Sequence, residues 1–171
     1  MSGEREQRDD LGTWLSATTV TGDCDRCPSG VYLIDATQRE QVLRLSVLPP
    51  EFAVAVLDGA AAGTRVGFFQ ELARALRFPG YFGHNWDAVY DCLTDLNWLP
   101  ATGYVLLLDG LDHLAMNEPG QWGIGLKVLR ESCEFWRPLS RPMYALLYGS
   151  GELAPGVPPL PAGCFSSWRD A

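Results

Sequence analysis

The stretch Phe52-Ala53-Val54-Ala55-Val56-Leu57-Asp58-Gly59 decides the fold. Its apolar run is short, contains the β-branched Val54 and Val56, and stops at an Asp-Gly turn, which reads as a strand. A strand that is apolar at every position is covered on both faces, as in parallel sheets. Two later runs repeat the pattern: Tyr104–Leu108, which also ends in Asp-Gly (Asp109-Gly110), and Met143–Leu147. Two helical stretches lie between the first and second runs. In one, Phe68, Leu72 and Leu76 recur every four residues and Pro79-Gly80 supplies the stop. The other runs from about Asn85 to Asp95, with Asn85 as its N-cap. Before the third run, Trp122, Leu126, Leu129, Cys133 and Trp136 are spaced 4-3-4-3, the single apolar stripe of a surface helix. Strands alternating with helices imply an α/β fold with a parallel sheet and right-handed crossovers.

Outside this region the pattern changes. Thr13–Val20, Val31–Asp35 and Gln41–Leu48 read as short strands, and Leu43, Leu45 and Val47 alternate with Arg44 and Ser46 in the period-2 manner of a half-buried strand. A small antiparallel β element ending at Pro49-Pro50 is therefore expected over residues 1–50. Residues 51–150 form the α/β domain. Residues 151–171 form a tail whose run APGVPPLPAGC reads as an extended surface segment.

The 171 residues carry 21 acidic and 13 Lys or Arg side chains, a formal net charge of -8. That balance argues against nucleic acid or an anionic membrane as partner and suits a basic protein. Eight of the acidic and five of the basic residues fall in 1–50, so the larger part of the excess lies in residues 51–171. The opening MSGEREQRDD has no apolar h-region, and no apolar run is long enough to span a bilayer. A soluble, cytoplasmic protein is expected. The five cysteines (Cys24, Cys27, Cys92, Cys133, Cys164) are odd in number, which favours reduced thiols. Cys24 and Cys27 have ligand-like spacing, but a structural zinc site needs four ligands and His84 and His113 are remote, so they read as loop cysteines.

The segment Tyr81-Phe82-Gly83-His84-Asn85-Trp86-Asp87-Ala88-Val89-Tyr90-Asp91-Cys92-Leu93-Thr94 carries the chemistry. Asp87 and Asp91 share a helix face, where like charges four apart cost a few tenths of a kcal/mol. Val89, Leu93 and Cys92 make the apolar stripe, leaving the two carboxylates and Tyr90 on another face. Tyr81, Trp86 and Tyr90 beside the charges match the composition of binding hot spots. Glycosidase-type acid/base chemistry needs carboxyl groups on opposite sides of a substrate, which one helical turn does not give. A metal site built on Asp87, Asp91 and His84 lacks a facing ligand cluster. The third use is to offer carboxylates to a cationic pocket built for phosphate, because Arg forks accept either group.

The run Phe78–Thr94 resembles the signature of the barstar family, intracellular inhibitors of secreted guanyl-type ribonucleases such as barnase. The similarity extends over about residues 52–149, taking in the Leu72/Leu76 helix and the closing strand Tyr144–Tyr148. The resemblance implies a barstar-like three-stranded parallel sheet with packed helices, an inhibitor without catalysis or cofactor, and a basic ribonuclease or a related toxin as partner. It implies that Asp91 occupies the target's phosphate site, with Asp87 and Tyr81 as main companions. Gly83, Asn85, Trp86, Tyr90 and Thr94 would surround them, and Glu131 would add an acidic contact from the later helix. Immunity to a different, non-ribonuclease toxin through the same acidic face is the alternative. The sequence departs from the family's best-known member at Tyr90, where that member has Trp, and at Asp95, where it has Gly.

Overall fold

The computed structural model describes residues 27–44, 51–110 and 112–165. Among the described residues the strands and α-helices succeed one another as β1 (Gly30–Leu33), α1 (Ala36–Leu43), β2 (Phe52–Asp58), α2 (Arg65–Leu76), α3 (Trp86–Asp95), β3 (Gly103–Asp109), α4 (Asp112–Asn117), α5 (Pro119–Trp136) and β4 (Met143–Tyr148). The strands form one sheet in the order β1-β4-β3-β2, and every pairing is parallel. The expected runs at 52–57, 104–108 and 143–147 are β2, β3 and β4. Their continuous apolar character has the anticipated cause. In β3, Leu106 and Leu108 enter one core while Val105 and Leu107 enter another on the opposite face.

The first core lies between the sheet and helices α2, α3 and α5. Ala55, Leu57, Leu106, Leu108, Ala145 and Leu147 meet Phe68, Phe69, Leu72, Val89, Leu93, Leu126 and Leu129 there. Each helix is set by its own signals. Thr64 Oγ1 caps α2 by accepting from the Gly67 N–H at 3.1 Å, and Arg77 in the left-handed region (φ 52°) ends it. The stop comes before Pro79-Gly80. The two Asp-Gly strand ends meet: Gly59 N–H donates to the Asp109 carbonyl at 2.7 Å, and a Cβ on Gly59 would overlap the Gly110 carbonyl. Only glycine permits that approach.

Two expectations for the chain ends are corrected. The N-terminal element is not an antiparallel β unit. β1 pairs in parallel with β4, making a fourth strand where three were expected, and residues 41–43 close helix α1 instead of opening a strand. A capping box overrides the alternation of Leu43 with Arg44: Asp35 Oδ1 accepts from the Gln38 N–H at 2.7 Å, and Gln38 Oε1 accepts from the Asp35 N–H at 3.0 Å. The rest of that expected strand, 45–48, and the run Thr13–Val20 lie outside the described residues. The tail, expected as an extended surface segment, is extended but partly buried as far as it is described, with Val157, Leu160, Cys164 and Phe165 covered. Leu33 N–H donates to the Pro158 carbonyl at 2.9 Å and Leu160 N–H to the Leu33 carbonyl at 2.8 Å, so the tail extends the sheet past β1.

Both ends build the second core. Tyr32, Ile34 and Val42 from the front and Leu160 and Phe165 from the back cover Val105, Leu107, Tyr144 and Leu146. Cys27 and Cys164 are joined as a disulfide between Cα atoms 5.8 Å apart and 137 positions apart in sequence, against the expectation of reduced thiols throughout. The odd count misled because Cys92 and Cys133 are buried in the first core and take no part. Cys24 lies outside the described residues. At the carboxyl edge of the sheet, Arg39 of α1 forms a two-point bond with Asp109 at 2.7 and 2.6 Å and lies over the Tyr148 ring at 5.0 Å. No helix among the described residues is long and apolar enough to cross a membrane.

Candidate functional site: an acidic helix face

Helix α3 begins where the Asn85 side chain accepts a hydrogen bond from the Ala88 N–H at 2.8 Å. Asparagine is among the best residues for this position because its side-chain oxygen satisfies an N–H that the helix cannot. The preceding His84 takes a left-handed conformation (φ 51°), which turns the chain sharply into the helix. Asn85→Ala is expected to cost about 0.5–2 kcal/mol of stability, read as a shift of the urea midpoint.

The helix separates its residues by face as the spacing predicts. Val89, Cys92 and Leu93 are buried, while Asp87 and Asp91 are exposed. Burial, with smaller contributions from Asp91 and Asp95, pushes the Cys92 thiol up, so it stays protonated at neutral pH. Asp87 sits in the first turn, where the helix dipole favours a carboxylate; Asp91 lies one turn, or about 6 Å, further on. Asp95 continues the row in the last turn, where the dipole disfavours it, and accepts from the Asn97 side chain. Among the described residues no cation pairs with Asp87 or Asp91. A helix that lines up three carboxylates at i, i+4 and i+8 without counter-charge has not been shaped for its own stability.

The aromatics divide into two groups. Tyr81 is 72% exposed. Partial desolvation, and to a lesser degree the Asp95 carboxylate, holds its phenol above the ordinary value of 10.0, so it remains a hydrogen-bond donor at neutral pH. Tyr90 is half-buried at the edge of the acidic face. Trp86, expected among the partner contacts, turns its ring inward. It packs on Phe69 with ring centroids 4.8 Å apart and on Phe68 at 5.5 Å, and its indole N–H donates to Gln121 Oε1 at 2.9 Å. A Cβ on Gly125 would lie 2.9 Å from the tip of this ring, so the glycine leaves the notch that Trp86 fills. Thr94 likewise uses its hydroxyl internally, donating to the Tyr90 carbonyl at 2.8 Å. Gly83 and Asn85 are exposed in the approach to the helix.

Helix α5 lies beside α3 and runs in the same direction. The Trp86–Gln121 bond joins their starts, and the Trp136 indole N–H, donating to the Leu93 carbonyl at 2.8 Å, joins their ends. Glu131 is exposed on α5 and its only cation among the described residues is Lys127, at 3.8 Å. A surface pair at that distance contributes little and yields readily to a stronger partner. Sequence reasoning does not single out Gln121, Gly125 or Trp136 as site residues. Their roles depend on partners 35 or more positions away, and the one local hint is a glycine inside the apolar stripe of α5.

Among the described residues no group of three His, Cys, Asp or Glu is arranged to hold a metal, and His84 is an exposed loop residue whose ring packs on Phe82 at 4.7 Å. A cavity of about 270 Å³ lined by Ala60, Ala61, Gly63, Thr64, His113 and Asn117 includes none of the acidic-face residues. What the arrangement offers is a row of carboxylates without a cation partner among the described residues, beside an exposed tyrosine. A family model described as Barstar (barnase inhibitor) matches residues 52–148, more than half of the chain. The chain belongs to the barstar family. No curated protein matches it. Tyr81 to Thr94 and Glu131 all fall within the family match, whereas β1, α1, Cys27 and Cys164 fall outside it.

Proposed function

We propose that this member of the barstar family binds the active site of a basic, secreted guanyl-type ribonuclease and blocks it without catalysis, presenting helix carboxylates where substrate phosphate would sit. The observation that carries this reading is the exposed Asp87–Asp91 row on α3, without a cation partner among the described residues and inside the span that matches the family. Asp91 is central and takes the phosphate position; Asp87 and Tyr81 flank it, Gly83, Asn85 and Tyr90 shape the surroundings, and Glu131 adds a charge from α5. Trp86 and Thr94 serve the same surface from within, by fixing α3.

The chemistry is that of exchange. A ribonuclease site holds phosphate with Arg and Lys, and a carboxylate satisfies the same guanidinium fork. In the free inhibitor the carboxylates repel one another and are solvated. In the complex each gains a cation in a site of low dielectric, where the interaction is stronger than in water. The acidic face speeds encounter with a basic enzyme and the desolvated pairs slow release.

Titration of the full chain against barnase, with RNA cleavage as readout, tests the reading. Stoichiometric inhibition that weakens as salt rises from about 50 to about 500 mM supports it. A panel of bacterial toxins run in parallel covers the alternative: binding to a non-ribonuclease toxin alone, with no ribonuclease inhibited, would assign the acidic face to a different kind of target.

A further inference from the structure

The side of the sheet away from α3 carries a feature the inhibitor reading does not use. Cys27 precedes β1, Cys164 lies near the end of the described chain, and the bond between them closes nearly the whole domain into a loop. Both residues are outside the family span, and both are about 1% exposed. Around the bond, Tyr144 donates its hydroxyl proton to the Cys27 carbonyl at 2.8 Å and Gln38 Nε2 donates to the Leu160 carbonyl at 3.3 Å. Leu160 and Phe165 are buried beside it in the second core. The bond therefore clasps the two ends of the chain over a face that the family span alone leaves to them.

We propose that the Cys27–Cys164 disulfide is a redox-responsive clasp: a dithiol reductant opens it, and residues 158–165 then leave the β1 edge while the acidic face on α3 keeps its structure. The separation comes from topology. The clasp and the residues from Leu160 on close the second core, on the face of Val105 and Leu107, whereas Ala154 and Val157 before them stay in the first core, from which Trp86 and Trp136 hold α3. Closing a long loop restricts the unfolded chain strongly, so the loss of the bond is felt as a loss of stability. Because both sulfurs are buried, a reductant thiolate reaches them only after the segment around Leu160 lifts. Reduction is gated by that local opening.

The chemistry balances as thiol–disulfide exchange. One thiolate of the dithiol attacks a protein sulfur, forming a mixed disulfide and releasing the other cysteine as a thiolate. The second thiol of the reductant then displaces the protein sulfur, closing its own disulfide. The protein gains two electrons and two protons, and the dithiol is oxidised. Cys92 and Cys133 stand apart from this exchange, buried in the first core; burial pushes the Cys133 thiol up to about 12.

The test uses the full chain carrying Cys24→Ser, so that the neighbouring thiol takes no part, and dithiothreitol as the reductant. Air-oxidised protein should alkylate at two cysteines, and only after denaturation; protein that is reduced and then denatured should alkylate at four. Reduction should lower Tm by about 10 °C and open protease cleavage confined to the segment after residue 150, with unchanged far-UV circular dichroism. A further Cys164→Ser change should give the lower Tm with or without reductant. Leu160→Ala should accelerate reduction several-fold. Full reduction with no shift in Tm or cleavage, free thiols at both positions in the oxidised protein, cleavage throughout the chain with loss of circular dichroism, or a reduction rate unaltered by Leu160→Ala would each overturn the proposal. None of these readouts involves a ribonuclease, so the clasp and the inhibitor reading fail independently.

Discussion

Asp91→Ala is expected to move affinity and stability in opposite directions. In the complex with a basic ribonuclease, the substitution leaves a target cation desolvated without its counter-charge. Truncating one member of a buried charge pair costs about 2–5 kcal/mol, a loss of roughly 30- to several-thousandfold in affinity. Most of the change should appear as faster dissociation, because long-range steering depends on the whole acidic surface and Asp87, Asp95 and Glu131 remain. In the free protein the same substitution removes two like-charge contacts at i−4 and i+4 and places the best helix former in mid-helix. It should therefore raise stability by about 0.5–1 kcal/mol. Stopped-flow binding and urea denaturation on one preparation measure both. Inhibition equal to the parent's would sink the assignment of Asp91 to the phosphate site. Weaker inhibition together with lower stability would point to damaged folding.

Those opposed signs also explain why the candidate site stands out in the sequence. A 3.6-residue period separates Val89, Cys92 and Leu93 from Asp87 and Asp91, and a carboxylate pair at i, i+4 is a local frustration visible in the residue order alone. The sheet is legible for a similar reason: β2, β3 and β4 are apolar at consecutive positions because both faces are covered, and that property belongs to each strand by itself. What covers the second face is not a local property. Tyr32 and Val42 meet Leu160 and Phe165 across more than a hundred residues, and the Pro and Gly around Leu160 conceal a segment that pairs with β1. The direction of β1 is hidden in the same way, since its neighbour is β4 at the far end of the chain and not the next strand in sequence. At α1 two local signals compete, the alternation at Leu43, Leu45 and Val47 and the Asp35–Gln38 capping box. The box prevails as far as Leu43 because it satisfies backbone groups that a strand at that position would have to pair elsewhere. Trp86 stands out in the sequence as important, but its composition-based reading does not say where the ring goes, because the hydrogen-bond partner that fixes it is Gln121 on another helix.

Trp136→Ala is expected to be the most damaging of these changes to the free protein. The residue is 4% exposed, its ring lies 5.2 Å from that of Tyr104 in the sheet, and its indole N–H holds the Leu93 carbonyl at 2.8 Å. That carbonyl belongs to the last turn of α3, where a helix leaves its carbonyls without intrahelical partners. Truncating a buried tryptophan costs about 3–5 kcal/mol, and this one also orphans a buried acceptor. Against a typical domain stability of about 5–15 kcal/mol, that is a large share. Trp136→Phe keeps most of the ring volume and removes only the donor, so its cost should be about 1–3 kcal/mol and should fall on the end of α3, which hydrogen exchange at Leu93 to Asp95 would register. The neighbouring Phe135 provides the comparison. It touches Trp136 edge-on at 5.5 Å but is 42% exposed, and Phe135→Ala should cost less than about 1 kcal/mol. Equal losses at 135 and 136 would mean that general apolar burial at the end of α5, and not the bond to Leu93, secures the acidic helix. A large loss at 136 alone, with faster exchange at the end of α3 in Trp136→Phe, would place the rigidity of the carboxylate row in that one joint.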